Sequence, residues 1–557
     1  MLLPTVTPLS LAIPLFCLLA LAQGLLTGPS LEASAACVAN PDYLTAKNHY
    51  WDAANADLTP ACVVFPTSAE QVSYVVSVLL GFPTVPFAVK SGGHNSNVGF
   101  SSVDFGVLIS FSQLNSTILS SDQATAEVGS GARWENAISA LEPYDLAVVG
   151  GRIGDVGVGG LLLGGGLSFL SAQYGLACDN VVNYEVVLAD STIVNANEHS
   201  NRDLFWALKG GGNQFGIVTK FTLKTYPIGT DGQVWAGTRT YDVTKLSAVL
   251  NATQHFIEYN DDPKAAVIVT LDIAVDTLVQ LAVVFFFYDG ETPQGGVFDE
   301  FNALIPISDQ VTTQTYSDFV SGNDDYSFYG LRYLYRTTTI PNLPGTNGTD
   351  LYNTVYSRFV DYVITNNLLF PGFVFSLAYQ PLQTLVGLFS YLLFFSEEWR
   401  LSREPEYGLL KQLPAPRLFL STCIYANPLG QLSAASVASG GDAMQLDPKN
   451  GDRVWIDLVI SWETAVGDDI ASSNAQRILS DIDNYVRTTY AGVPNTRYVE
   501  GNLTYEEYNP LFLNDAMYDQ QPAQSYGGNS YERLSAIQKL VDPNGFFPTR
   551  TGGFKYT

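Results

Sequence analysis

Ser91-Gly92-Gly93-His94-Asn95 is the stretch whose residue types most clearly suit chemistry. Two adjacent glycines let the backbone adopt conformations closed to other residues and come very near a ligand. A histidine directly after them is thrust into the space that this approach creates. The chain has four histidines, and His94 is the one whose neighbours look built around it; His49, His199 and His255 are scattered and read as structural or exposed. Taken alone, Gly-Gly-His also suits an ordinary strand-to-loop turn. A second concentration runs from Gly150 to Gly175, where glycines alternate with branched apolar residues and return as Gly164-Gly165-Gly166. Tight loops and close helix–strand packing explain some of these glycines. Their density favours a surface of backbone N–H groups that holds a phosphate-bearing cofactor.

Such loops need elements to hold them. Val63 to Pro66 reads as a strand ended by proline, and Thr67-Ser68-Ala69-Glu70 opens a helix with a hydroxyl cap and an early acid. Val72, Val75, Val76 and Leu79 continue it at helical spacing. Strands at 85–89 and 106–109 bracket the Gly-Gly-His loop and complete a small α/β unit. A second unit starts near Thr125 with a strand at 126–128, a glycine turn and a helix from Trp134 to Leu141. A hairpin spans Val181 to Asn197. Ser200 or Asn201 then caps the helix Leu204–Lys209, which runs into Gly210-Gly211-Gly212 and a strand at 217–225. Gly157-Val158-Gly159-Gly160 lacks the third glycine and the following acid of a doubly wound dinucleotide site, and no Gly-Lys-Ser/Thr loop is present, which disfavours NAD and ATP. From about 230 to 500, strands at 265–275, 277–288 and 453–462 with helices near 245–259 and 471–489 predict an antiparallel sheet that carries an aromatic pocket. No Ser/His/Asp triad, His-x-x-x-His pair or paired-carboxylate signature stands out. A last helix at 530–540 stops at Asp542-Pro543, where the chain returns to the first domain.

With 557 residues, 46% hydrophobic and 15% charged, the chain is a well-packed globular protein of two or three units. A formal charge of −27 argues against a nucleic-acid partner, because phosphate binding needs a basic face. It suits a soluble secreted or vacuolar protein. No charged side chain precedes Glu32, and Ile13 to Ala22 form an apolar core ending in Ala20-Leu21-Ala22. That pattern predicts a cleaved signal peptide over 1–22. Pro4, Pro8 and Pro14 and the short core argue against a membrane anchor. Cys37 and Cys62 are the natural disulfide pair at the start of the mature fold, and Asn115, Asn251, Asn347 and Asn502 are sequons that accept glycans in a secretory compartment. Leu382 to Phe395 is almost wholly apolar and fits poorly with its surroundings.

The pieces fall into a known order. Lys90 to His94, Val156 to Gly160 with Gly164 to Gly166, Tyr174 to Leu176 with Asp179-Asn180, Gly210 to Val218, and Tyr526-Gly527 through Asp542-Pro543 together resemble the FAD-linked oxidases of the vanillyl-alcohol oxidase type. The branch is the berberine-bridge-enzyme-like one, in detail the fungal members associated with secondary metabolism. The resemblance implies an α+β fold. A two-part PCMH-type FAD-binding domain over 57–229 has two small α/β subdomains and is completed by the returning 501–557; an antiparallel-sheet substrate domain with helices spans 230–500. It implies that His94 is joined covalently to the flavin 8α-methyl group. Ser91, Gly92, Gly93, Asn95, Val156, Gly157, Gly159, Gly160, Gly165 and Asp179 would surround the cofactor, and Gly216, Ile217 and Val218 would contact it by backbone. Ile153 stands where some members place a second, cysteine link, so one link is expected. The partners implied are dioxygen, reduced to hydrogen peroxide, and a small alcohol, amine or secondary-metabolite intermediate; a same-fold dehydrogenase and a carbohydrate oxidase are the alternatives. Oxidation of a C–H next to oxygen or nitrogen needs a base, for which Tyr379, Tyr508 and Tyr526 are candidates. The family spans the interval from Gln380 to Gly440 more briefly, which makes 383–430 an insertion or a translated intron.

Overall fold

The computed structural model describes residues 34–36, 41–367, 372–380 and 429–556. The expected leader, Cys37 and the interval 383–428 lie outside them. Cys62–Phe65, Val107–Ser110 and Phe87–Lys90 form a parallel sheet in that spatial order, with Ser34–Ala36 antiparallel at one edge. All four residues of both Cys62–Phe65 and Val107–Ser110 are buried, which is why they read as unbroken apolar runs rather than alternations. Helix Ala69–Leu80 turns Val72, Val75, Val76 and Leu79 into this core. Each such buried side chain contributes about 1.5–3 kcal/mol. Ser68 Oγ accepts from Gln71 N at 3.4 Å and starts the helix as its sequence foretells.

A second, antiparallel sheet orders Thr117–Leu119, Thr125–Gly129, Ile217–Pro227, Val181–Val187 and Ile193–Asn197, with Leu146–Val148 on the far end of the long strand. The hairpin turns at Asp190, whose carboxylate accepts from Thr192 N at 3.0 Å. The following helix, Arg202–Ala207, differs from expectation at its start. Asn201 is left-handed at φ 52° and makes no cap bond; its side-chain amide donates to Asn195 O at 2.8 Å and ties the helix back to the hairpin instead.

The third sheet runs Gln233–Asp242, Val279–Tyr288, Ala265–Ala274, Val374–Gln380, Arg453–Trp462 and Arg332–Pro341, all neighbours antiparallel. Every residue of Ala265–Ala274 and of Arg453–Trp462 is buried, because both faces are covered. Helices Leu246–Tyr259, Gly345–Asn367 and Asp468–Thr489 cover one face. The other faces the first two sheets, with Phe287 stacked on Phe169 at 5.2 Å and Tyr333 on Trp51 at 3.7 Å.

The C-terminal residues close over the first two sheets. Phe546 packs on Phe87 at 5.1 Å, and the Arg550 guanidinium donates to Val85 O at 2.9 and 2.7 Å and to Leu79 O at 3.0 Å. Asn514 from the same tail accepts from Gly166 N at 3.1 Å and donates to Gly160 O at 3.2 Å, which pins the glycine-rich segment. The result is the two-part α+β architecture with a separate antiparallel sheet that the resemblance implies. Among the described residues, no helix is long and apolar enough to cross a membrane.

Candidate active site

A cavity lies where loops of the first two sheets, Tyr335 of the third and the tail meet. Ser91, Gly92, Gly93, His94, Asn95, Val156, Gly157, Gly159, Gly160, Gly216, Ile217 and Val218 all line it, as does Ile153. Gly165 and Asp179 do not. A side chain on Gly165 would meet Met444 Cε at 2.6 Å. Asp179 is buried behind the wall, where it accepts from Leu176 N at 2.9 Å. Burial, then the charge of Asp442, pushes its pKa well above the carboxylate range. Its task is to shape the turn beneath the glycine segment.

The two glycine loops touch at one point. A Cβ on Gly92 would stand 2.4 Å from Gly157 N, and one on Gly157 would stand 2.2 Å from Gly92 N, so neither position admits a side chain. Polar bonds lock the contact: Ser91 Oγ accepts from Gly159 N at 3.2 Å and donates to Ser130 O at 2.6 Å. Arg133 adds a charged bolt, donating to Gly92 O at 3.0 Å and pairing with Asp155 at 2.7 Å. Gly160 is different. It lines the cavity, and a Cβ there would meet no protein atom within 4 Å, so the space before it is free for a ligand. A cleft in which two glycine loops present bare backbone among apolar side chains fits a flat, phosphate-bearing cofactor such as FAD.

His94 lines the same cleft. Its ring is enclosed by protein yet keeps one side open to the cavity. Trp51 stacks on it at 4.5 Å, and Ser327 Oγ lies 3.4 Å from Nε2. Burial holds its pKa down at about 4; the Arg133 charge pushes the same way, and Asp155 opposes. The imidazole is therefore neutral at physiological pH, with a nitrogen lone pair available. Lys90, at the root of the loop, is buried over the Tyr50 ring at 3.7 Å. Its Nζ donates to Ala46 O at 2.7 Å and His49 O at 2.6 Å. Burial, aided by Arg133, lowers its pKa to about 7.

None of the three tyrosines singled out in the sequence reaches the cavity, because each hydroxyl is spent on a backbone carbonyl. Tyr379 lies on the helix-covered side of the third sheet and donates to Tyr352 O. Tyr508 donates to Met444 O at 2.9 Å and Tyr526 to Gly210 O at 3.0 Å. Burial raises the pKa of all three, so none ionises to the phenolate that could act as a base.

Carboxylates that the sequence reading passed over stand there instead. Asp515 from the tail lines the cavity, as do Arg152 and Tyr335. Asp457 stands behind it: the register sets Tyr335 opposite Val459 and Thr337 opposite Asp457, so all four share one face of the sheet. Asp457 is fully buried, with Thr337 and Asp515 as its polar neighbours. Burial, then the Asp515 charge, drives its pKa well above the ordinary value, while Arg152 opposes. A lone acid in the strand Arg453–Trp462, otherwise mostly apolar, was the one sequence signal that marks it. Among the described residues, no cluster suited to a metal ion occurs.

Residues 60–197 match a family described as an FAD binding domain. An uncharacterized FAD-linked oxidoreductase of Arthroderma benhamiae is 34% identical over 92% of this chain and 91% of its own length. An enzyme of Aspergillus calidoustus named as the FAD-dependent monooxygenase drtC is 30% identical, covering 92% and 86%. Among solved structures, glucooligosaccharide oxidase from Acremonium strictum, described with a 6-S-cysteinyl, 8α-N1-histidyl FAD, superposes with a TM-score of 0.66 at 19% identity, over 96% of this chain and 97% of that one.

Proposed function

Since this chain belongs to the FAD-linked oxidoreductases of the vanillyl-alcohol-oxidase and berberine-bridge-enzyme-like family, we propose that it is a secreted oxidase whose FAD is tethered through His94 alone. The observation that carries this reading is a neutral, half-open imidazole in a cleft that two glycine loops line with bare backbone. Ile153 occupies the place of the second link, which supports a single attachment. When bound, FAD supplies two-electron acceptance and passes the electrons to dioxygen.

The residues divide the remaining work. Gly92, Gly157, Gly159, Gly160 and Gly216 to Val218 let the backbone lie against the cofactor. Arg133 and Asp155 keep the two loops in register. Asp515 removes the proton when a C–H beside oxygen or nitrogen is oxidised, which general-base catalysis makes worth 10²–10⁴-fold. Asp457, kept protonated by burial, donates its own proton in a hydrogen bond to the Asp515 carboxylate, as close carboxyl pairs do. The substrate is a small alcohol, amine or secondary-metabolite intermediate. An oligosaccharide is the runner-up, favoured by the solved oxidase. Asn115 and Asn347 are exposed and suit glycans; the amides of Asn251 and Asn502 are hydrogen-bonded within the protein.

The drtC relative's name favours a second reading, oxygen insertion. A screen of alcohols, aromatic amines and oligosaccharides for peroxide release separates the two. The oxidase reading requires one peroxide per substrate oxidised without added reductant. Oxygen uptake that leaves no peroxide and needs a reductant would replace it with monooxygenation, and slow reoxidation of reduced enzyme by oxygen in stopped flow would replace it with dehydrogenation.

A further inference from the structure

The imidazole of His94 is held by groups far from it in sequence. Trp51 lies parallel to it, with 4.5 Å between ring centres and 7° between planes. Tyr333 covers the other face of Trp51 at 3.7 Å and 12°, and Tyr335 tilts against it at 5.4 Å. The column is tied down beside its rings. Trp51 N donates to Gly93 O at 3.1 Å, and the Asp52 carboxylate accepts from Tyr333 N at 2.9 Å. Trp51 is fully buried, yet its indole N–H meets no acceptor among the described residues. Buried indoles usually find one, so this ring is kept in place by its two faces and not by its polar edge. Ser327 Oγ, 3.4 Å from Nε2, fixes the imidazole from another direction.

Resting on the reading that FAD is tethered at His94, we propose that Trp51 is a positioning residue for the attachment, aiming the imidazole at the flavin with Tyr333 behind it and Ser327 at Nε2. The bond formed joins a His94 ring nitrogen to the flavin 8α carbon. An N–H and a C–H break, and the two protons and two electrons released are taken up by the flavin ring and passed to dioxygen as hydrogen peroxide. Trp51 does not line the cavity, so it acts only through His94. Without its flat face the imidazole is free to tilt, and a misplacement of about 1 Å slows such a step on the order of 100-fold.

The test follows acid-stable flavin over time in the full chain supplied with FAD, for the wild type and the variants Trp51→Leu, Trp51→Phe and Ser327→Ala. Total bound flavin before acid and the melting temperature are measured beside it. Trp51→Leu is expected to bind FAD but attach it on the order of 100-fold more slowly, releasing the flavin into the acid supernatant. Trp51→Phe, which keeps an aromatic face, attaches at close to the wild-type rate, and Ser327→Ala falls between. Attachment at the wild-type rate in Trp51→Leu overturns the inference alone. So does loss of bound flavin and melting temperature in both Trp51 variants, which would make Trp51 a packing residue; Ser327→Ala, which leaves the aromatic column intact, overturns the Ser327 contact if its rate is unchanged. Wild-type protein that surrenders all its flavin to acid overturns the His94 reading itself.

Discussion

Replacing Lys90 with methionine tests how the Gly-Gly-His loop is anchored. The Nζ is buried under Tyr50 and bonded to the carbonyls of Ala46 and His49. Burial lowers its pKa from 10.5 to about 7. Between these values the unfolded chain binds a proton that the folded protein does not. Stability must therefore rise with pH across this window, by about 1.4 kcal/mol per pH unit. Full stability is reached above 10.5 and is progressively lost as pH falls to about 7. From pH 7 to 9 the gain is about 2 kcal/mol, since the group is half-titrated at the lower end. Lys90→Met keeps the unbranched stem, one atom shorter, and removes the titration, at the further cost of about 1–3 kcal/mol for each carbonyl left without a donor. Urea unfolding of both proteins at pH 7, 8 and 9 reads the difference directly. The wild type should pull away from the variant as pH rises. A difference that stays constant to within about 0.5 kcal/mol would refute the buried-lysine reasoning.

Asp272 predicts the opposite slope in another window. Burial lifts its pKa to about 7 against the hydrogen bond donated by Ser376. The folded protein thus keeps a proton that the unfolded chain loses above about pH 4, and stability falls from there to pH 7; Asp272→Asn should remove that fall and gain a few kcal/mol at pH 8 by urea unfolding. Gly160→Leu should empty the cleft of flavin, read as absorbance per protein. The apoprotein's stability should hold or rise slightly, because the new side chain meets no protein atom and helix propensity favours leucine over glycine by about 0.5–1 kcal/mol. Asp515→Asn should lower kcat by 10²–10⁴-fold with flavin content unchanged, and a fall below threefold would dismiss it as the base.

What the sequence disclosed followed burial. Strands Ala265–Ala274 and Val279–Tyr288 are apolar because both faces are covered, and helix Ala69–Leu80 shows both its stripe and its cap. Arg332–Pro341 was silent because arginines and threonines are not an apolar pattern. They are buried only through distant partners: Arg332 pairs with Asp57 at 2.6 Å and Asp468 at 2.7 Å, and Thr339 Oγ1 donates to Pro510 O at 2.7 Å. Helix Gly345–Asn367 hid behind a polar first turn, although Leu351, Val355, Phe359 and Val363 repeat every fourth residue and are buried. The cofactor loops were legible because close backbone approach leaves glycine no substitute. The carboxylates at the cavity were not, because 31 tyrosines offer hydroxyls everywhere, Asp515 arrives from the distant tail, and only strand register puts Asp457 on the face of Tyr335. Trp51 had no local mark at all; it reaches His94 only when the third sheet packs on the N-terminal segment.

Peptide mass spectrometry of the purified, proteolysed protein locates the flavin. FAD should be found on the peptide that carries His94 and on no other, with the mass shift absent in His94→Ala while that variant still binds flavin reversibly. Flavin attached to a different peptide, or flavin retained covalently by His94→Ala, would contradict the link at His94.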